Sequence, residues 1–164
     1  MRNVEVTSDN WAVVERMAHW QAGWYMFLDH SWLGVGAGNY ANAYPDYSVG
    51  MWREPLGHAH NYYLNMLAEL GVVGFSVLIV LLALTFRTLG AAIVGSERVS
   101  AHEALFWRAT LAGALGGLIV FCVHNVFDSL FVHSVNVQVG VLLGLALLAA
   151  ERMRAARTAA VVGR

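Results

Sequence analysis

The sequence predicts an all-α membrane protein, with three C-terminal transmembrane helices preceded by a partly helical loop region. Three observations predict it. The chain is 58% hydrophobic with a mean hydropathy of +0.53, well above the roughly 45–50% apolar content of soluble domains. That excess is gathered into three uncharged runs, 70–86 (resuming over 88–94), 109–127 and 129–150. A spanning helix needs about 20 mostly apolar residues, so each run is long enough to cross a bilayer. Arginines, finally, are distributed unevenly between the ends of these runs. A soluble bundle is disfavoured because the second and third runs are apolar all round rather than striped.

The spans are predicted at about 69–94, 104–127 and 130–150, with a loop region at 1–68 and a tail at 152–164. Arg87, Arg98 and Arg108 bracket the first turn, and Arg152, Arg154, Arg157 and Arg164 follow the third span. Between the second and third spans lie His124, Asp128 and His133, with no basic residue of fixed charge. The positive-inside rule places both arginine clusters in the cytoplasm. Residues 1–68 and the 124–133 turn then lie outside, on the periplasmic face of a bacterial inner membrane.

Net charge is −1, so there is no electrostatic case for a nucleic-acid partner. Cys122, the single cysteine, lies in the second span and reads as a small buried hydrophobe. Charges in the first residues leave no apolar core for a signal peptide.

Residues 1–68 hold every tyrosine, five of the six tryptophans and both prolines. Ser8-Asp9-Asn10 is a plausible helix cap, and Trp11, Val14, Ala18 and Trp24/Tyr25 recur at helical spacing. A helix is therefore expected from Trp11 to Asp29, lying along the membrane interface. Gly34, Gly36 and Gly38 predict a flexible turn over 31–39. They match neither a P-loop nor a dinucleotide fingerprint, because the Gly-Lys-Ser/Thr ending and the Gly-x-Gly-x-x-Gly spacing are both missing. Residues 41–57, rich in Tyr, Pro and Gly, are expected to be an irregular loop. A helix is expected to begin at 58–61 and enter the membrane. Within the spans, Ala109, Gly113 and Gly117, and likewise Gly140 and Gly144, recur every four residues and suit close helix packing.

Read in order, Glu15-Arg16-x-x-x-Trp20, the Trp32-Leu-Gly-Val-Gly-Ala-Gly-Asn39-Tyr40 turn, His58-Ala-His60-Asn61-Tyr-Tyr-Leu64 and Ala68-Glu69-Leu-Gly71-Val-Val-Gly74 form one pattern. Over roughly residues 11–150 it resembles the O-antigen ligase and polymerase superfamily. That resemblance implies a polytopic inner-membrane enzyme that moves a glycan from an undecaprenyl-diphosphate carrier to a lipid A core, another glycan or a protein. It implies inversion at the anomeric centre and no metal or other cofactor. It matches Arg16 to an arginine that contacts the carrier pyrophosphate, and His60 to the histidine that activates the acceptor hydroxyl.

The chemistry of those roles is coherent. A diphosphate leaving group accumulates negative charge, and arginine stays ionised and offers bidentate donors to phosphate oxygens. Imidazole takes protons near neutral pH. Each assignment has a plainer rival. Arg16 can pair with Glu15 or Asp9 on a solvated face, His60 can cap a helix, and His58 can merely flank the site. Asn61 orients a histidine or caps the helix; Glu69 joins the site, pairs with an arginine or rests among headgroups. Arg53 is a loop arginine on the phosphate side. Tyr40, Tyr44, Tyr47 and Trp52 either stack on sugars or form an interfacial belt. His124 and Asp128, one turn apart, are polar groups at membrane depth that invite a functional reading.

Members of that family have about ten or more spans, and three are found here. The resemblance thus makes this chain the C-terminal part of a larger transferase, with N-terminal transmembrane helices as a further partner beside the glycan substrates and membrane lipids. Two other classes stand beside it. One is a non-catalytic membrane partner that packs through its glycine faces. The other is a metal-binding membrane protein using His58 and His60 with His102 or His124, although His102 falls on the opposite side of the predicted topology.

Overall fold

The computed structural model describes residues 5–94, 101–130 and 135–162. They form five helices: α1 (Trp11–Asp29), α2 (Tyr40–Tyr47), α3 (Tyr62–Val94), α4 (Ala101–His124) and α5 (Val135–Val162). Among the described residues there is no strand, only an isolated bridge between Val49 and Trp52. Three helices are long and apolar enough to cross a membrane: Tyr62–Val94, Leu105–His124 and Val135–Ala156. Their outward residues are apolar, including Val77, Val80, Leu81, Leu105, Phe106, Val120, Val137, Val141 and Leu147, all exposed. Such surfaces are stable against acyl chains and costly against water. The chain is an all-α protein of membrane type. Arg98, His133 and Arg164, which entered the topology argument, lie outside the described residues, as does the side chain of Arg157.

The chain divides into two compact units, one of residues 1–79 and 123–130, the other of 80–122 and 131–164. In the second unit Leu89, Leu111, Leu118 and Met153 pack with Ala92, Ala114, Ala146, Ala149 and Ala150 into a small-residue core. A Cβ on Gly117 would meet Leu142, whereas Gly113, Gly140 and Gly144 face open space.

The first unit carries Arg16, His58, His60, Asn61, Glu69, His124 and Asp128. α1 has the predicted bounds. Asn10 stands at its cap position without a side-chain cap bond; its side chain ties the preceding turn instead, accepting from Thr7 N–H and donating to the Glu5 carbonyl. One stripe of α1, Val14, Ala18, His19, Ala22, Gly23 and Met26, is buried.

The stretch expected to be an irregular loop is corrected in its first half, because residues 40–47 form α2 despite Pro45. The reason is a distant residue. Glu69, buried in α3, accepts Gly38 N–H at Oε2 (2.9 Å) and Tyr40 N–H at Oε1 (3.1 Å). A carboxylate there satisfies two donors and complements the positive end of the helix. Exchanging Glu69→Gln removes the charge and aims an amide N–H₂ at one of those donors. It is expected to cost about 1–3 kcal/mol, read as a lowered midpoint of thermal unfolding in detergent. An unchanged midpoint would show that α2 holds itself.

The glycine turn is pinned rather than flexible. Gly71 lies at φ 61°, ψ −165° inside α3 and breaks the helix there. An unbroken helix would bond Val72 and Val73 N–H to the carbonyls of Ala68 and Glu69. Instead those carbonyls accept Val35 and Gly36 N–H, both at 2.9 Å, while Val72 and Val73 donate to Ser31 and Trp32 carbonyls at 2.8 and 3.3 Å. The break in α3 and the 31–36 turn thereby satisfy each other's backbone groups. Contact is close on both sides: a Cβ on Gly34 would overlap the Glu69 backbone, and one on Gly71 the Trp32 backbone. Two of the sequence motifs, one around Gly34 and one around Gly71, are the two halves of this clamp.

Candidate functional site

The clamp fixes where the head of α3 stands, and the residues just before it form the site. Asn61 caps α3, its Oδ1 accepting Leu64 N–H at 2.9 Å. Asn65, buried one turn on, accepts Ala59 N–H at 3.0 Å. Between these anchors His60 takes a left-handed backbone conformation, φ 51°, which disfavours a side chain with a Cβ. Three hydrogen bonds hold it there. Trp20 Nε1–H of α1 donates to the His60 carbonyl (3.1 Å), His60 N–H donates to His58 Nδ1 (3.1 Å), and His60 Nδ1 pairs with Asp128 Oδ1 (3.2 Å).

Asp128 comes from the turn after α4. That turn is tied by Asp128 N–H to the His124 carbonyl, Ser129 N–H to Asp128 Oδ1, and Leu130 N–H to Asn125 Oδ1. It meets the head of α3 where Tyr62 N–H donates to the Asn125 carbonyl at 2.9 Å. The segments expected on one side of the membrane, residues 1–68 and the turn after the second span, are the two that meet here.

Asp128 is shared between two partners. Oδ1 faces His60, and Oδ2 stands 3.8 Å from Arg16 Nη2 of α1. Arg16 and Asp128 side chains keep 44% and 36% of their exposure, so the ion pair is open to an incoming anion. Burial pushes the Asp128 carboxyl upward, but the Ser129 N–H, the His60 hydrogen bond and the charges of His60 and His58 outweigh it and hold it below its usual range. Burial, aided by the neighbouring His60, lowers His58.

Behind His60 lies a buried residue that no sequence motif singles out, His19. Burial, with the neighbouring His60 and His58, lowers its pKa to about 4, so it is a neutral ring. Its imidazole stacks on Tyr44 with centroids 4.6 Å apart and meets the His60 ring edge-on at 5.4 Å. His19 Nδ1 is 3.2 Å from the Tyr40 hydroxyl, and Tyr44 O–H donates to the Trp52 carbonyl at 2.9 Å. Burial raises the pKa of both tyrosines. Tyr40 and Tyr44 are fully buried and so neither stack on sugars nor form an interfacial belt. Their i, i+4 spacing and that of Ala18 and Ala22 on α1 were the only sequence signals of this packing.

The remaining predicted site residues lie apart from the cluster. Trp52 is 7% exposed and stacks edge-on with Trp11 at 4.5 Å. Arg53 Nη1 donates to Ser48 Oγ at 3.1 Å and lines a 230 Å³ cleft with Glu15 and Glu54. Tyr47 donates to Asp29 Oδ2 at 3.1 Å and lines a 540 Å³ cleft with Gln21, Tyr25 and Asp46. Glu69 holds α2 and Asn61 caps α3, as described. Arg16 pairs with neither Glu15 nor Asp9 but with Asp128.

His58, His60 and Asp128 each present a ligand atom within 4.8 Å of the others, the one such grouping among the described residues. The third member is Asp128, where the sequence suggested His102 or His124. The His102 side chain lies outside the described residues, and His124 is exposed.

No curated protein matches this chain. The model of the family described as O-antigen ligase matches residues 3–79, a narrower stretch than the resemblance over 11–150. It holds Arg16, the glycine turn, His58, His60, Glu69 and Gly71, and it ends where the main segment of the first compact unit ends. The likeness of this chain to the O-antigen ligase family thus lies over residues 3–79.

Proposed function

We propose that this chain carries the reaction centre of an inverting glycosyltransferase that moves a glycan from an undecaprenyl-diphosphate carrier to an acceptor hydroxyl on the periplasmic face. The observation that carries this reading is the single carboxylate, Asp128, bridging Arg16 and His60 at the head of a membrane-spanning helix. A lipid-borne diphosphate and a water-borne hydroxyl can both arrive at that depth.

In this reading His60 donates its Nδ1 proton to Asp128, which leaves the Nε2 lone pair as the base. Nε2 is buried and has no partner, and the acceptor O–H supplies the one it lacks. The acceptor oxygen bonds to the anomeric carbon, the bond from that carbon to the phosphate oxygen breaks, and the proton passes to His60. Asp128 stabilises the imidazolium as it forms. Arg16, exposed beside it, stabilises the charge that grows on the departing diphosphate. His58 acts on the backbone: its Nδ1 holds the His60 N–H and with it the left-handed turn.

The test is transfer from a lipid-diphosphate glycan by the membrane-embedded protein. Arg16→Ala is expected to lower transfer about 10–100-fold with insertion intact, the worth of a lost charge-assisted pair. Arg16→Lys should restore part of the loss, since an ammonium lacks the planar fork. Parental transfer in Arg16→Ala would make Arg16 an ordinary surface partner of Asp128.

A further inference from the structure

We infer that His58, His60 and Asp128 form a binding site for a divalent transition cation of the zinc class, and that a cation there switches His60 off as a base. The second half rests on the role proposed above for His60; the first half does not.

The donor set is two imidazoles and one carboxylate, with ligand atoms all within 4.8 Å of one another. Imidazole nitrogen with carboxylate oxygen suits zinc, cobalt and nickel and is a poor match for magnesium or calcium, which take oxygen ligands. Three protein ligands leave a fourth tetrahedral position for water. The cluster is also half enclosed, His60 keeping 18% of its side-chain exposure and Asp128 36%, which strengthens a charge interaction relative to open water.

The switch follows from the tautomer. A cation between His60 and Asp128 takes the place of the proton now shared by Nδ1 and Oδ1, 3.2 Å apart. A neutral imidazole has a single N–H proton, so that proton leaves Nδ1 for Nε2 as the metal–nitrogen bond forms. No hydrogen bond fixes Nε2 against that change. Once Nε2 is protonated the ring has no lone pair for the acceptor, and Asp128 is spent on the cation. The binding step forms two metal–nitrogen bonds and one metal–oxygen bond, and it involves no redox change.

Arg16 sharpens the test, because its guanidinium 3.8 Å from Asp128 Oδ2 competes with any cation for that carboxylate. Cobalt(II) titrated into the protein in detergent, followed by its visible absorption, reads binding without reference to transfer. Competition with zinc then ranks affinities. His58→Ala and Asp128→Asn are expected to weaken binding by about tenfold or more, and Arg16→Ala to strengthen it a few-fold. Zinc should inhibit transfer by the parental protein, and a chelator should restore it. Parental cobalt affinity in both ligand variants, or weaker binding in Arg16→Ala, would overturn the site. Full transfer with the site loaded would overturn the switch, whereas loss of transfer in His60→Ala alongside absent cobalt binding would leave the transferase reading standing without it.

Discussion

Exchanging His60→Ala is expected to lower glycan transfer by about 10²-fold or more, with carrier affinity nearly unchanged. The imidazole is the only group in the cluster with a buried, unpartnered nitrogen, and a base acts mainly in the transition state. Loss should therefore fall on kcat rather than KM. The variant keeps the fold, because two of the three bonds that hold this turn run through the His60 backbone. The Trp20 indole meets its carbonyl, and its N–H meets His58. The left-handed φ of 51° is inherited by alanine as well. A conformation of order 1–3 kcal/mol above the relaxed one, held by its surroundings, is typical of a functional position. Imidazole added to the His60→Ala protein should restore some transfer, a readout that no purely structural role would give. His58→Ala should lose less, since another hydrogen-bond acceptor such as water can meet the His60 N–H. Parental transfer in His60→Ala would remove the histidine base, and loss in His58→Ala alone would move it by two residues.

Much of this architecture is legible in the residues themselves. The α1 bounds follow from Ser8-Asp9-Asn10 and the helical spacing of Trp11, Val14 and Ala18, and the three long helices follow from their apolar runs. What escapes the sequence is set by contacts across long separations. α2 is invisible locally because its cap, Glu69, lies 29 residues beyond Tyr40. Asp128 reads locally as a polar group paired with His124 at the end of a span, and nothing in the sequence shows that the fold carries it 68 residues back to His60. His19 reads as one histidine on an aromatic helix, and only burial against Tyr40 and Tyr44 distinguishes it. The two glycine motifs are each legible as turns, yet nothing in either one states that they bind each other.

That mutual binding carries the last expected result, that Gly71→Ala yields no folded protein. Gly71 sits at φ 61°, ψ −165°, a region open essentially to glycine alone, and its Cα faces the Trp32 backbone. A methyl group there cannot be relieved by turning a side chain, because the neighbour is main chain. Relief requires parting the two segments, which forfeits four backbone hydrogen bonds, Val35 and Gly36 to α3 and Val72 and Val73 to the turn. Orphaned backbone groups at a half-buried junction cost about 1–3 kcal/mol each, so the total exceeds about 4 kcal/mol, a severity that few single substitutions reach. Gly34→Ala repeats the argument from the other side, at φ 68° against the Glu69 backbone. Parting the clamp also withdraws Glu69 from α2, so α2 and the His19 pocket behind His60 fall with it. Gly140→Ala in α5 is the contrast: it has helical surroundings and open space around its Cβ, and it should be neutral or gain up to about 1 kcal/mol. Size-exclusion behaviour and protease resistance in detergent read all three variants. A monodisperse, protease-resistant Gly71→Ala protein would show that the junction yields, and the clamp would then not be what holds the site in place.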